Sequence, residues 1–269
     1  MGRGMMMRLV LVGWGAIGAE VAQQLARRHA PVQLVGVAVR DVRAARAGLS
    51  GPTLISDPGE LAALAPDLVV EAAGRGAVLP WGRATLTAGA DFAPASTSAF
   101  ADDDVLAELV ALARAQGRQV LIPPGALGGI DALAAASRMQ LITVQHEVTK
   151  PPAAWLGTEA ERLCDLTALT AAKTFFTGSA RDAAARFPQN ANVALISALA
   201  GLGPDQTEIR LTADPAARLN RHRVVAEGEF GRMEITLDNR PFAANPKSSA
   251  LTALSLVRLI ENRAAPLVI

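Results

Sequence analysis

The sequence predicts an α/β chain: an N-terminal doubly wound parallel sheet, then a second α+β domain carrying a mixed sheet. Three observations predict it. A β-branched run, Arg8-Leu9-Val10-Leu11-Val12, passes straight into Gly13-x-Gly15-x-x-Gly18 and a helix-like stretch. Up to residue 122, short apolar runs alternate with amphipathic stretches over short connections, as parallel strands joined by crossover helices require. Beyond Pro123-Pro124 the runs lengthen and follow one another, with a hairpin signal at Phe230-Gly231.

In order, residues 9–12 form a strand and 19–28 a helix, and 32–39 (Val-Gln-Leu-Val-Gly-Val-Ala-Val) form a second strand. A short helix over 58–64, a strand over 67–72, a helix over 79–88 and a strand over 91–94 follow. Residues 102–116 form a helix capped by Asp102 or Asp103, with Leu106, Leu109, Val110 and Leu112 on its apolar face. A strand over 119–122 ends at the prolines. In the second half, 125–129 is a turn, and helices span 130–139, 159–169, 180–186 and 192–202. The strands there are 141–148, 208–213, 223–229 and 232–239. The closing helix, 248–262, is apolar enough that it must bury, and the first domain is the expected berth. This gives a dinucleotide-binding domain over 1–122, with 246–269 packing back on it, and a catalytic or substrate domain over 123–245.

A glycine motif that follows a strand and opens a helix is the Rossmann-type phosphate cradle. Gly13 allows the tight turn, Gly15 lets the backbone approach a pyrophosphate, and Gly18 lets helix and strand pack closely. The N–H groups of Ala16, Ile17 and Gly18 at the helix start are offered to the anion. An acidic residue at the end of the second strand reads the ribose hydroxyls of NAD, whereas an arginine accommodates the phosphate of NADP. Here Arg40 and Asp41 stand side by side, which predicts use of both coenzymes; the plain alternative is a loop arginine on the surface.

Bulk properties narrow the class. The 269 residues are 51% hydrophobic and 19% charged, which suits a packed core rather than disorder. A net charge of +1 points away from nucleic acid and anionic membrane as partners. The longest apolar stretches are too short to span a bilayer. Residues 1–7 carry no apolar signal core, Met6 breaks the myristoylation pattern, and Met5, Met6 or Met7 could equally start the chain. A single cysteine, Cys164, forms no intrachain disulfide and points to reducing cytoplasm. Of 26 basic residues only Lys150, Lys173 and Lys247 are lysines.

Three stretches have unusual composition: Pro123-Pro124-Gly125-Ala126-Leu127-Gly128-Gly129-Ile130-Asp131, Phe187-Pro188-Gln189-Asn190-Ala191-Asn192, and Asp214-Pro215 through Asn220-Arg221-His222-Arg223. The amide of Asn190 or Asn192 can bond a nicotinamide carboxamide, or simply cap a helix. With Lys150-Pro151-Pro152-Ala153-Ala154-Trp155, Phe176-Thr177-Gly178-Ser179-Ala180, Glu229-Phe230-Gly231, Asn239-Arg240-Pro241 and Asn245-Pro246-Lys247-Ser248-Ser249, these stretches resemble the L-aspartate dehydrogenase family from Leu9 to Leu259. The chain departs from that pattern at Pro123-Pro124, where a small serine-like residue is commoner, and at His146-Glu147, where arginine is often found.

The resemblance implies NAD(P)-dependent oxidative deamination of L-aspartate to iminoaspartate, then oxaloacetate and ammonia, and the reverse amination, by a homo-oligomer, with a dimer favoured. It places the catalytic histidine at His222, in the Asn-x-His element, and further coenzyme contacts at Ala126 and Asn192. It implies no metal. In the family, iminoaspartate feeds pyridine nucleotide biosynthesis; a catabolic or assimilatory role is equally compatible. A base must activate water for attack on the imine, and histidine titrates in the right range. Of the other histidines, His29 ends a helix beside Arg27-Arg28, where a base suits the helix C-terminus, and His146 is expected at the surface or in packing. A dicarboxylate needs cations, for which Lys173, Lys247 and Arg240 are candidates, with Arg221 behind them. Two other readings share the two-domain plan. An aldehyde or semialdehyde dehydrogenase would need Cys164 as nucleophile, yet Cys164 sits beside Glu161 and Asp165 in a helix-like run. A nucleotide-sensing protein without turnover would not need His222.

Overall fold

The computed structural model describes residues 6–44, 49, 51–188, 191–242 and 245–269. Contacts divide the chain into two units, Met1–Pro123 with Ala253–Ile269, and Pro124–Thr252.

The first unit opens with β1 (Met7–Val12), whose last four residues are all buried, as a strand covered on both faces requires. It runs into α1 (Ala16–Arg27), which buries Gly18, Val21 and Leu25 along one stripe. Next come β2 (Val32–Ala38), β3 (Thr53–Ile55), a 3-10 turn over Pro58–Leu64, and β4 (Leu68–Glu71). Then follow α2 (Arg75–Thr87), β5 (Asp91–Pro94) and α3 (Asp103–Gln116). The Asp102 carboxylate accepts from the Asp104 N–H at 3.1 Å and starts α3, and Gly117 at φ +63° ends it. All pairings are parallel in the order β3-β2-β1-β4-β5. The strand order therefore reverses beside β1, the place where open α/β sheets bind ligands beyond their carboxyl ends. Two details differ from the sequence reading. β3 is an additional strand, and the strand expected over 119–122 is reduced to one bridge, Phe92 to Val120.

The second unit contains α4 (Ile130–Ala136), β6 (Leu141–Lys150), α5 (Ala160–Leu163), β7 (Lys173–Ser179), α6 (Ala180–Arg186) and α7 (Ala191–Ala200). Five strands follow: β8 (Glu208–Ala213), β9 (Asn220–Gly228), β10 (Gly231–Asn239), and the short β11 (Pro241–Phe242) paired with β12 (Asn245–Ser249). The main sheet is mixed, in the order β10-β9-β6-β8-β7; β6 runs parallel to β8, and the other pairings are antiparallel. β9 and β10 form the expected hairpin, with Gly231 at φ +110°. β7 is a strand that the sequence pattern did not reveal. The helix expected over 159–169 shrinks to α5, so Cys164 is extended and buried just beyond it. Asp165 Oδ1 accepts from the N–H groups of Thr167 and Ala168, and this local turn competes with further helix.

The final helix, α8 (Ala250–Ala264), sends Ala253, Leu256, Val257 and Ile260 into the core of the first unit beside Leu9, Leu11, Val21 and Leu68.

Candidate functional site

In the first unit, a cavity of about 320 Å³ opens over the carboxyl ends of the strands, lined by Gly13, Trp14, Gly15, Arg40, Ser56 and Ala73 among others. Its floor is the glycine loop. Gly13 has φ +100°, and a Cβ there would lie 2.8 Å from the Ala72 carbonyl oxygen. A Cβ at Gly18 would collide with the Gly13 carbonyl oxygen, so strand and helix meet only through glycine. Above Gly15 a Cβ would meet nothing within 4 Å, which leaves room for a phosphate beside the backbone. No side chain caps α1 and no acid stands in its first turn, so its N–H groups are free of competing carboxylates from their own helix. These features fit a dinucleotide. The Ile17 side chain packs toward the core, so Ala16, Ile17 and Gly18 would act through the backbone. Arg40 is exposed at the cavity edge, while Asp41 Oδ1 accepts from the Arg43 N–H at 2.9 Å.

Glu71, which sequence reasoning overlooked, organises the neighbouring loop. It ends β4 fully buried and accepts from the Ala73 and Gly74 N–H groups (2.7 Å each), the Ser96 N–H (3.1 Å) and the Ser96 hydroxyl (2.9 Å). Burial pushes its carboxyl up from the usual range, against those four hydrogen bonds. An acid closing the apolar run Leu-Val-Val-Glu was the available signal.

In the second unit, alternation along β6 aims Val144, His146, Val148 and Lys150 at one buried face. On β9, His222 pairs with Val148 and is only 2% exposed. The register brings two histidines together: His146 Nε2 lies 3.2 Å from His222 Nδ1. His146 Nδ1 lies 3.0 Å from the Ser197 hydroxyl of α7. Lys150, 4% exposed, lies on the same strand face with its ammonium 5.5 Å from the Trp155 ring centroid. Burial pulls His146 down to about 3 and Lys150 to about 8. His222 is held well below the usual histidine range by burial first, then by His146 and Lys150. Asn220, also buried, reaches Ser249 Oγ from Nδ2 at 3.4 Å, and its Oδ1 has no hydrogen-bond partner among the described residues.

The expected residues thus separate. His222 lies in the buried cluster. His146 is neither at the surface nor mere packing, because it hydrogen-bonds His222. Lys173 and Arg240 are exposed, and Arg221 is held by Asp238 at 2.7 and 3.0 Å. The Lys247 side chain and Asn190 lie outside the described residues. Ala126 is buried and its carbonyl accepts from Asn239 Nδ2 at 2.9 Å, while Asn192 is half-buried in the first turn of α7. Cys164 is buried, with Sγ 3.6 Å from the Ala160 carbonyl oxygen. Among the described residues, no group of three or more His, Cys, Asp or Glu side chains is placed to hold a metal ion, and no helix is long and apolar enough to cross a membrane.

Comparison with known proteins agrees in both halves. Residues 131–263 match the family model described as aspartate dehydrogenase, C-terminal, and residues 13–123 match that described as homoserine dehydrogenase, NAD binding domain. The chain is 57% identical to an L-aspartate dehydrogenase of Brucella anthropi, over 97% of this chain and 98% of the relative. It is 43% identical to one of Pseudomonas aeruginosa, over 96% and 98%. Among solved structures, aspartate dehydrogenase from Thermotoga maritima shares the fold, with a TM-score of 0.78 over 98% and 99% of the two chains at 24% identity.

Proposed function

The chain belongs to the L-aspartate dehydrogenase family, and from that premise we propose that it is an NAD(P)-dependent oxidoreductase deaminating L-aspartate with His222 as the base. The observation that carries the reading is a buried histidine with a hydrogen-bonded partner and a buried lysine on the same sheet face. A nicotinamide coenzyme held by the backbone of the glycine loop, Gly13 to Gly18, would supply the acceptor for the hydride that leaves the substrate Cα. As that bond breaks, the amine lone pair forms the C=N bond of iminoaspartate. His222 takes a proton from water while the water oxygen bonds to the imine carbon. That proton then passes to the nitrogen, and as the C–N bond breaks and ammonia leaves, the hydroxyl proton passes back to His222 and the carbonyl of oxaloacetate forms.

Lys150 replaces Lys173 and Arg240 as the cation for a substrate carboxylate, because a buried ammonium is worth more to an anion than an exposed one. Burial leaves His222 a weak base in the free protein; a bound dicarboxylate raises its proton affinity when it is needed. Arg40 at the cavity edge supports use of both coenzymes.

The test is an amino-acid panel assayed with NAD and NADP for wild type and His222→Ala. L-Aspartate should be the preferred substrate, and the variant should lose about 10²–10⁴ in kcat with coenzyme affinity held. Near-normal turnover without His222 would remove it from the mechanism.

A further inference from the structure

We propose that Ser197 and His146 are positioning residues that fix the His222 tautomer, leaving its Nε2 unprotonated and ready to accept a proton. The inference rests on the deamination reading above for its kinetic consequence, and on geometry alone for the tautomer. Ser197 Oγ lies 3.0 Å from the Ala194 carbonyl oxygen and 3.3 Å from that of Val193. Carbonyl oxygens only accept, and two of them stand within reach of the single hydroxyl proton of Ser197, so we assign that proton to α7. With that proton in α7, its oxygen faces His146 Nδ1 at 3.0 Å as an acceptor, and we place the His146 proton on Nδ1; the opposite tautomer, with Ser197 donating to a bare Nδ1, is the outcome the nitrogen labelling below distinguishes.

The next step follows from the chemistry of neutral imidazole, which has one N–H and one lone pair. With Nδ1 protonated, His146 Nε2 is an acceptor. The atom facing it at 3.2 Å is His222 Nδ1, which therefore donates. His222 is left with its lone pair on Nε2. Three side chains from α7, β6 and β9 pass one direction of polarity along a line. Residues 76 apart in sequence set the protonation of a single ring. The full burial of His146 keeps it neutral, since its ring must not take a second proton and lose the acceptor. Among the described residues, the charged or titratable groups acting on His222 are His146 and Lys150, both from β6. Lys150 is a cation and so discourages a proton on His222 without choosing between its two nitrogens.

The arrangement parallels one use of buried carboxylates beside catalytic histidines, which hold the imidazole in one tautomer. Here the holder is a neutral ring. It orients without the strong pull of an anion, so the expected effect is smaller than that of such a carboxylate and closer to that of groups that orient a metal-bound histidine.

The experiment has two arms. In the first, His146→Leu lowers kcat for aspartate by about 10–100-fold with KM held. His146→Gln, which keeps an acceptor at the place of Nε2, recovers the larger part of it. In the His222→Ala background, His146→Leu adds no further loss, because its effect runs through His222. A multiplied loss in the double variant, or equal damage from Leu and Gln, would overturn the proposal in favour of plain packing. In the second arm, the protein is labelled with 15N-histidine, and ring-nitrogen shifts are read in the wild type at neutral pH. His222 should show a protonated Nδ1 and a bare Nε2, and His146→Leu should mix the tautomers. A protonated Nε2 on His222 in the wild type would reverse the line and overturn the proposal. If the wild type fails to oxidise aspartate, the functional reading falls while the labelling arm still decides the tautomer.

Discussion

Lys150 owes its chemistry to its place in the alternation of β6. Its ammonium enters the buried face with His146, and loss of hydration pulls its pKa to about 8. A lysine holds a carboxylate only while charged, and it is charged below its pKa. With Lys150 proposed as the carboxylate partner, aspartate binding should be complete below about pH 7 and fall as pH rises through about 8. In kinetic terms, kcat/KM, which reports groups of the free enzyme, should fall on that alkaline side. Lys150→Met should lower kcat/KM at neutral pH and erase this fall. Lys150→Arg should move it beyond the accessible range, since a guanidinium does not deprotonate there. A profile of unchanged shape in Lys150→Met would show that another group titrates. His222 sits in the same cluster but is held well below the usual histidine range, so its titration should show on the acid side instead.

Elements differ in how openly the sequence declares them, and the glycine loop declares itself most. A strand, three spaced glycines and a helix can be read from residue types alone, because each glycine answers a local steric demand. Gly18 has the sharpest one, since the Gly13 carbonyl oxygen fills the space of its Cβ. Gly18→Ala must therefore part α1 from the loop, at about 1–3 kcal/mol of stability. Coenzyme binding, followed by the fluorescence of Trp14 and Trp81 in the cavity wall, should weaken with it. Unaltered affinity would mean that the loop gives way without moving the phosphate site. By contrast, β3 is only three residues long, and β7 reads Lys-Thr-Phe-Phe-Thr-Gly-Ser with no clean alternation, because it lies at a sheet edge beside β8. The shortened α5 was hidden for another reason. The turn made by the Asp165 side chain competes with helix over residues whose composition favours helix.

Across the whole molecule, long-range register is what sequence periodicity cannot supply. The alternation of residues 144–150 shows that His146 and Lys150 share a face, yet not which strand lies alongside. Only the pairing of β6 with β9 brings His222 to His146, and only the packing of α7 brings Ser197. That assembly makes the fold sensitive to acid. His146 is neutral in the fold down to about pH 3, and His222 is likewise depressed, whereas in the unfolded chain both take up protons near 6.5. The unfolded state binds more protons in this window, so stability is full above about pH 6.5 and drains as pH falls toward 3. Glu71, with its carboxyl pKa raised, works in the opposite sense because the fold holds its proton more tightly. Each proton taken up only by the unfolded chain costs about 1.4 kcal/mol per pH unit. Unfolding by urea at pH 7, 6 and 5 should show the loss, and His146→Leu should remove one proton's share of it. The stability gap between wild type and variant then changes by about 1.4 kcal/mol per unit once below the unfolded pKa. If the two proteins instead lose stability in parallel, His146 accepts a proton inside the fold. Its lone pair would then be unavailable to His222, and the direction of the Ser197–His146–His222 line would fail at acid pH for the same reason.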